Sequence, residues 1–303
     1  MNNHQRSGGT YAFCCIAILL MAAGFPEPAV GAPAAAQAKV LQEMSWVDVR
    51  DYLTTSDMVL IPMGSTEQHG PHLPLGTDFY EAMGAARMIS ERTGLLVAPV
   101  VMSGYSVYHS GFPGSLSLKP ETMTQVLFET AEILIQYGFR RILFFNYHGG
   151  NNIVQQRVIH RINHETEAVA VAVGHGSSIM KESGGVPGDM HGGVNETSLM
   201  LYLHPELVRM DRAEKPVMRY TERSEKLRAA AADNPRLNNI LDTLLGVPVE
   251  TKKGGASHEL SSNGIWSFRD PREANVELGR KMAETMVDQV VRFIEAWRKI
   301  EGR

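Results

Sequence analysis

Short apolar runs alternate with longer amphipathic stretches through most of this chain. The apolar runs predict strands at Met58 to Met63, Leu95 to Val101, Arg141 to Asn146 and Ala168 to Val173. Apolar residues at helical spacing predict helices near residues 78–93, 120–138, 152–165 and 193–203. This alternation indicates an α/β fold with a mostly parallel sheet and helices on both faces, and the nearly continuous apolar character of the strands fits a sheet covered on both sides.

The C-terminal part of the chain is less uniform. From about Pro271 to Lys299, apolar residues recur at helical spacing, so we expect a long helix that docks on the core. Between Pro205 and His258 the chain is more polar and is interrupted by prolines. We expect one helix there, around residues 223–245, and the pattern of this region predicts no function.

Residues 1–36 differ from the rest and predict a secretory signal peptide with a short linker. An apolar run from Tyr11 to Gly24 is followed by small residues and prolines, with cleavage expected after Ala32 or Ala36. A membrane span needs about 20 apolar residues, so an uncleaved N-terminal anchor is the less favoured alternative. Residues 37–303 would then form a single domain of a secreted or periplasmic protein.

Composition narrows the chemistry that the mature chain can use. Both cysteines, Cys14 and Cys15, lie inside the apolar run, so cleavage would remove every thiol and exclude thiol catalysis, cysteine-bound zinc and disulfides. The chain of 303 residues has a formal net charge of -4 and no run of lysine or arginine. This charge pattern predicts no nucleic-acid or membrane partner for the mature form, and we expect a small-molecule or short-peptide substrate.

Three short blocks of sequence concentrate acidic and imidazole side chains. They read EQHGPHLPLGTD at residues 67–78, NYHGGN at 146–151 and DMHGGVNE at 189–196. The first two blocks follow predicted strands, and the third opens a predicted helix. Ligands of parallel sheets gather at the carboxyl ends of the strands, so we expect the three blocks to meet at one edge of the sheet.

Five side chains of these blocks are candidate ligands for two divalent metal ions: Glu67, His69, Asp78, His148 and Glu196. Glu67 and His69 are two residues apart, which in an extended segment points both side chains the same way. The glycines and prolines that follow favour a turn that returns Asp78 to the same place, where its two oxygens can bridge two cations. Five ligands leave positions for water, and two metals that activate a shared water predict hydrolysis of a carbon–nitrogen bond.

Other polar residues of the blocks have expected supporting roles. His191 is the predicted catalytic residue, because an imidazole exchanges protons near neutral pH and can serve as the proton shuttle. His72 is expected to orient a metal ligand from behind. Ser106 and His109 are candidates to line the pocket. For any single histidine the alternative is a structural, hydrogen-bonded role, and for His109 we favour packing over chemistry.

The three blocks, together with Phe112-Pro113-Gly114-Ser115, resemble the creatininase (creatinine amidohydrolase) family over about Trp46 to Gly279. The resemblance implies a three-layer α/β/α sandwich, a homo-oligomer that is often a hexamer, and two Zn or Mn ions. It also implies a division of the ligands, with Glu67 and His148 on one metal, His69 and Glu196 on the other, and Asp78 bridging the two. Residues 37–303 are therefore expected to form one creatininase-like hydrolase domain.

The chain departs from the creatininase pattern at two points. Creatininases place a carboxylate ligand two residues beyond the histidine that matches His148, whereas this chain has Gly150 there, so Glu196 must supply that oxygen. No tryptophan occurs in residues 174–190, where creatininases cover their substrate. These departures argue against creatinine as the substrate.

We therefore predict a secreted, dinuclear metal-dependent amidohydrolase that acts on an amide, a cyclic amide or a formamide. Relatives that share the Gly-Gly version of the second block act on formamides or on a peptide, so a metallopeptidase for a short peptide is the first alternative. The second alternative is a metal- or solute-binding module that has kept the ligands and lost turnover. Both zinc and manganese accept this donor set.

Overall fold

The computed structural model describes residues 36–99, 103–174, 182–244 and 246–301. Their strands are β1 (Lys39–Val40), β2 (Met58–Met63), β3 (Leu96–Val97), β4 (Arg141–Asn146), β5 (Val169–Val173), β6 (Asp189–His191) and β7 (Trp266–Ser267). The first five form a parallel sheet in the order β1-β3-β2-β4-β5. The last two form a separate antiparallel pair, in which His191 lies opposite Trp266.

Helices follow most of these strands. They are α1 (Trp46–Leu53), α2 (Thr77–Thr93), α3 (Pro120–Tyr137), α4 (Asn152–Glu165), α5 (Val194–Leu203), α6 (Glu222–Ala231), α7 (Asn238–Leu244), α8 (Ser257–Leu260) and α9 (Val276–Glu301). Ser45 caps α1 reciprocally with Asp48, which satisfies amide groups that the first turn leaves free. Gly94 and Gly138 end α2 and α3 in the left-handed conformation that glycine adopts without strain.

Side chains of each central strand alternate between two apolar clusters. In β2, Met58 and Leu60 pack with α2 and α9, whereas Val59 and Ile61 pack with α3 and α4 on the opposite face. β4 alternates in the same way, and its six residues are all buried. Because both faces of the sheet bury apolar side chains under helices, the protein is a three-layer α/β/α sandwich, as predicted.

The strongest apolar runs were predicted closely and the ambiguous ones were not. β2 and β4 have the predicted bounds. The strand expected from Leu95 to Val101 is only Leu96–Val97 in the described residues, and residues 100–102 lie outside them. The single helix expected at 223–245 is wrong, since α6 and α7 are separated by a 3-10 turn at Pro235–Leu237. Proline lacks an amide hydrogen and disfavours helical geometry in the residue before it, so one continuous helix is excluded there.

The predicted last helix is present as α9, preceded by a 3-10 turn at Pro271–Glu273. The predicted signal peptide, with Cys14 and Cys15, lies outside the described residues. Within the described ranges, none of the helices combines the length and the hydropathy that a membrane span requires.

Candidate metal centre

The first two sequence blocks leave neighbouring strands at the same edge of the sheet. The segment from Glu67 to Asp78 connects β2 to α2, and His148 follows β4 almost directly. β2 and β4 are paired along their whole length, from Met58 opposite Arg141 to Met63 opposite Asn146. The two blocks therefore start side by side at the carboxyl ends of the strands, where the sheet topology predicts a site.

The third block reaches this edge through a tight turn. His191 ends β6, and Glu196 lies in the first turn of α5. Gly192 makes the connection with a φ of +62°, and a Cβ atom there would lie 2.9 Å from the main-chain carbonyl carbon of His69. Only a glycine combines this conformation with so close an approach, so the turn seats α5 directly on the first block.

Asp78 lies between two imidazoles. Its Oδ1 atom is 3.1 Å from Nε2 of His69, and its Oδ2 atom is 3.2 Å from Nδ1 of His148. Oε1 of Glu67 is 3.2 Å from Nδ1 of His148, and Oε2 of Glu196 is 3.8 Å from Nε2 of His69. The structure thus brings all five predicted ligands together, and the two oxygens of Asp78 face different imidazole–carboxylate pairs, as a bridging carboxylate would.

Three imidazoles of the cluster are held in the same way. Each donates one ring N–H to a main-chain carbonyl oxygen: His69 Nδ1 to Glu67 (3.0 Å), His148 Nε2 to Tyr105 (3.0 Å) and His191 Nε2 to Gln68 (2.5 Å). Because that nitrogen carries the hydrogen, the other nitrogen of each ring is left facing the carboxylates. A main-chain acceptor behind the ring is how proteins fix the tautomer and direction of a metal-binding histidine.

The cluster concentrates buried negative charge, which a proton or a cation would stabilise. Burial disfavours a charged imidazole, but the carboxylates of Asp78 and Glu196 outweigh it and raise the pKa of His69 to about 10. Burial also opposes ionisation of Asp78, yet the adjacent His69 and His148 imidazoles lower its pKa. Burial raises the pKa of Glu196 to about 7. The buried carboxylates are therefore compensated by protons wherever a cation is not present to compensate them.

Two carboxylate oxygens of the cluster still lack a partner. Oε2 of Glu67 and Oδ2 of Asp78 are buried, and no hydrogen-bond donor among the described residues is aligned with either. Three sets of side chains each place their ligand atoms within 4.8 Å of one another: Glu67 with Asp78 and His148, His69 with His191 and Glu196, and Glu67 with His109 and His191. Unpaired buried oxygens cost free energy, and this mixture of carboxylate and imidazole donors fits divalent cations such as Zn or Mn.

His191, the predicted catalytic residue, lies against this cluster. Only 7% of its surface is exposed, and its Nδ1 atom is 3.7 Å from Oε1 of Glu67. Burial, followed by the positive charge of His69, lowers the pKa of His191 well below its usual value. The ring is therefore neutral and turns an unprotonated nitrogen toward the carboxylates, where it can accept a proton or contribute to a cation site.

Two further residues connect the cluster to its surroundings: Gln68, which sequence analysis did not select, and His109, which it named as a candidate to line the pocket and which does line the cavity. The side-chain nitrogen of Gln68 lies 3.1 Å from Nδ1 of His109 and 3.1 Å from Nε2 of His191. His109, for which packing was favoured, places Nε2 at 3.3 Å from Oε1 of Glu67. A side-chain amide is a less usual ligand for these metals than a carboxylate or an imidazole, so the signal for Gln68 was its place between two ligand candidates.

A second unselected residue, Glu81, is buried one helical turn beyond Asp78. Burial, followed by the charges of Glu196 and Asp78, raises its pKa well above the usual value, so it is a neutral acid beneath the cluster. Its spacing of three residues from Asp78 on a helix was the signal that could have identified it. The Nε2 atom of His72 is 2.8 Å from Oγ1 of Thr197, the residue after Glu196, and its expected role of orienting a metal ligand stays a prediction.

The cluster opens into a cavity of about 540 Å³. Besides the carboxylates and histidines, the described lining includes Tyr105, Tyr108, Tyr147, Met190, Gly246 and Trp266, and it includes no lysine or arginine. Gly246 belongs to the polar region between Pro205 and His258, so this region contributes to the cavity wall. Ser106, which we expected in the pocket, instead lies behind His148, with its Oγ 3.2 Å from Nε2 of that ring.

Comparison with known proteins identifies the same fold and sequence family. The family model of creatininase, described as creatinine amidohydrolase, matches residues 42–294. Among curated proteins, the mycofactocin precursor peptide peptidase of Mycobacterium tuberculosis is 31% identical over 259 residues, which cover 80% of this chain and 87% of that protein.

Solved creatininases have the same fold. A manganese form superposes with a TM-score of 0.64 at 23% identity, covering 87% of this chain and 98% of the other. A Zn-Zn form of a mutant creatininase superposes with a TM-score of 0.66 at 23% identity and the same coverage. The match to the family model extends over nearly all of the described residues. This chain therefore belongs to the creatininase family and is a hydrolase of that family.

Proposed function

We propose that this protein is a dinuclear metal-dependent amidohydrolase in which Glu67, His69, Asp78, His148 and Glu196 hold two divalent cations. The observation that carries the proposal is the position of Asp78, whose two oxygens face His69 and His148 at 3.1 and 3.2 Å. A single carboxylate placed between two imidazoles in this way is suited to two cations rather than one. The Zn-Zn and manganese forms of solved creatininases support the choice of zinc or manganese.

Two divalent cations bound to these residues would supply an activated water and polarise the carbonyl oxygen of an amide. His191 then has the task of moving a proton. Its Nε2 hydrogen is held by the carbonyl oxygen of Gln68, so Nδ1 is the atom that takes the proton released by the attacking water. The same atom returns that proton to the departing nitrogen, which leaves as a neutral amine.

The cavity supports a small substrate without a strong negative charge. Its described lining contains carboxylates, imidazoles and aromatic rings but no lysine or arginine that could neutralise an anion. An amide, a cyclic amide or a formamide fits this chemistry. Peptide hydrolysis is the second candidate, because a relative that matches 80% of this chain is named as a peptidase.

The test is turnover that depends on bound metal. Protein stripped with a chelator and reloaded with Zn²⁺ or Mn²⁺ should hydrolyse at least one member of a panel of formamides, cyclic amides and short peptides, and the stripped protein should not. His191→Gln should keep its metal but lose about 10²- to 10⁴-fold in kcat, the usual contribution of a general acid–base. Turnover that is equal with and without metal contradicts the proposal, and ligand-induced thermal stabilisation without product would favour a binding module.

We also propose that the protein is exported to the periplasm or the medium and that it assembles as a homo-oligomer. The N-terminal sequence supports export. An apolar groove lined by Trp46, Leu53 and Tyr137, with Trp46 74% exposed, supports a subunit contact. N-terminal sequencing of the protein from cell fractions should find a mature chain that begins after Ala32 or Ala36, and light scattering should give a multiple of the chain mass.

A further inference from the structure

We propose that His109 is a positioning residue that orients Glu67 for metal binding, and this inference rests on the metal site proposed above. His109 ends a 3-10 turn, Val107–His109, in a loop that is remote in sequence from every predicted ligand. Only 2% of its surface is exposed. A histidine from a separate loop is thus buried against the carboxylate of Glu67, a proposed metal ligand.

The loop is attached to the first sequence block at several points. Oγ of Ser106 lies 2.5 Å from Oγ of Ser65, and the amide of Gln68 donates to Oγ of Ser115 at 3.1 Å. At Gly111 a Cβ atom would lie 1.8 Å from Nδ1 of His258, so the loop depends on a glycine to pass this side chain. These contacts hold the loop against the first sequence block and so fix the position of His109 relative to the cluster.

Gln68 determines which nitrogen of His109 carries the hydrogen. Its Oε1 accepts from the amide of Gly70 at 2.9 Å, and its Nε2 donates to the carbonyl oxygen of Gly264 at 3.0 Å, which fixes the orientation of the amide. The amide nitrogen also donates to Oγ of Ser257 at 2.8 Å and lies 3.1 Å from Nδ1 of His109. An amide nitrogen cannot accept a hydrogen bond, so the Nδ1 atom that faces it carries no hydrogen. The hydrogen of the neutral ring is then on Nε2, the atom that lies 3.3 Å from Oε1 of Glu67.

The contact fixes one oxygen of Glu67 and leaves the other for a cation. Oε1 faces both His109 and His148, whereas the buried Oε2 has no described hydrogen-bond partner. The face of the His109 ring also stacks on His191, with ring centroids 4.2 Å apart and planes inclined by 25°. One side chain therefore supports both a proposed ligand and the proposed proton shuttle, as residues behind a metal site commonly do.

Two substitutions separate the polar contact of His109 from its packing. His109→Gln keeps an N–H at the position of Nε2, and His109→Met keeps a similar shape without any hydrogen-bond donor. Each is compared with the unsubstituted protein by Co²⁺ titration, which reports cation affinity and the visible absorption of the bound ion without any substrate. His109→Met should weaken Co²⁺ binding about 10- to 100-fold and change the absorption spectrum, and His109→Gln should restore affinity to within about 3-fold.

Thermal unfolding of the metal-free variants verifies that both are folded. Unaltered Co²⁺ affinity and spectrum in a folded His109→Met variant would overturn the inference. Equal losses in His109→Met and His109→Gln would also overturn it, because the ring would then act through packing rather than through its N–H. If the unsubstituted protein binds no Co²⁺, the proposed metal site fails as well, whereas binding of Co²⁺ without hydrolysis of any amide refutes only the proposed reaction.

Discussion

Carboxylates occupy two contrasting settings in this protein, the metal centre and the surface of α9. On α9, Glu277 and Glu284 are largely exposed and pair with Arg280. At the centre, Glu67 and Asp78 are 1% and 2% exposed, and their described partners are imidazoles rather than lysine or arginine. The surface carboxylates are in contact with solvent and share one guanidinium group. The buried ones form an acidic cluster whose compensation depends on protons or bound cations, which is the physical basis of a cation site.

The largest expected effect comes from removing the bridging carboxylate. Asp78→Asn keeps the shape of the side chain but removes the charge shared between His69 and His148. Because the bound cations would stabilise the transition state by several kcal/mol, we expect Asp78→Asn to lower kcat/KM by about 10³-fold. Steady-state kinetics on whichever substrate the panel identifies measures this, and full activity in the variant would show that Asp78 is not part of the catalytic centre.

His72 provides a pH test at the edge of the cluster. Burial, with the nearby charge of His69, lowers its pKa to about 4. In the unfolded chain this histidine takes up a proton near pH 6.5, whereas in the folded protein it stays neutral down to a lower pH. Its contribution to the free energy of unfolding is therefore complete above pH 6.5 and is lost as the pH falls toward 4. We expect His72→Gln to reduce this acid-side loss by about 3 kcal/mol in denaturant unfolding of the metal-free protein. An unchanged pH profile would contradict the assignment.

Adjacent glycines provide a matched pair beside His148. A Cβ atom at Gly150 would lie 2.1 Å from the carbonyl oxygen of Tyr105, which is the acceptor for the His148 ring. Gly150→Ala must displace that carbonyl, and we expect metal affinity to fall about 10- to 100-fold. A Cβ atom at Gly149 would meet no described atom within 4 Å, so Gly149→Ala should bind metal like the parent. Calorimetric titration compares the two, and equal behaviour would contradict the geometry.

The smallest effect is expected on α9. Arg280→Ala removes ion pairs with Glu277, which is exposed, and with Glu284, which like Arg280 is partly exposed. Such pairs are screened and costly to order, so the thermal unfolding midpoint and the metal affinity should both be unchanged within error. A clear loss of stability at low salt would show that surface carboxylates matter more here than their exposure indicates.

The parts of the molecule that sequence predicted best are those where the local pattern determines the structure. β2 and β4 are continuous apolar runs buried on both faces, so their limits are visible in the sequence. The five ligand candidates were identifiable because few other roles bring so many acids and histidines together in adjoining blocks. The break at Pro235 was missed because the amphipathic spacing on either side outweighed a single proline in the interpretation.

What sequence did not predict depends on contacts between distant segments. Sequence named His109 as a pocket-lining candidate but did not select Gln68, and the contact between the two arises only when the loop at 103–119 packs on the first block. Gly246, far along the chain, reaches the cavity wall near Tyr108. Spacing along a sequence carries no information about contacts between distant segments. A glutamine or a single histidine is, moreover, usually a structural residue.

The most direct test of the account is the number of cations that the acidic cluster binds. Protein stripped of metal and dialysed against Zn²⁺ or Mn²⁺ should retain two ions per chain by elemental analysis, and Asp78→Asn should retain fewer. Saturation at 100 times the dissociation constant of each site should raise the free energy of unfolding by about 2.7 kcal/mol per bound ion. A chain that binds no divalent ion at saturating concentration, or whose Asp78→Asn variant binds two ions as tightly as the parent, would contradict the central claim.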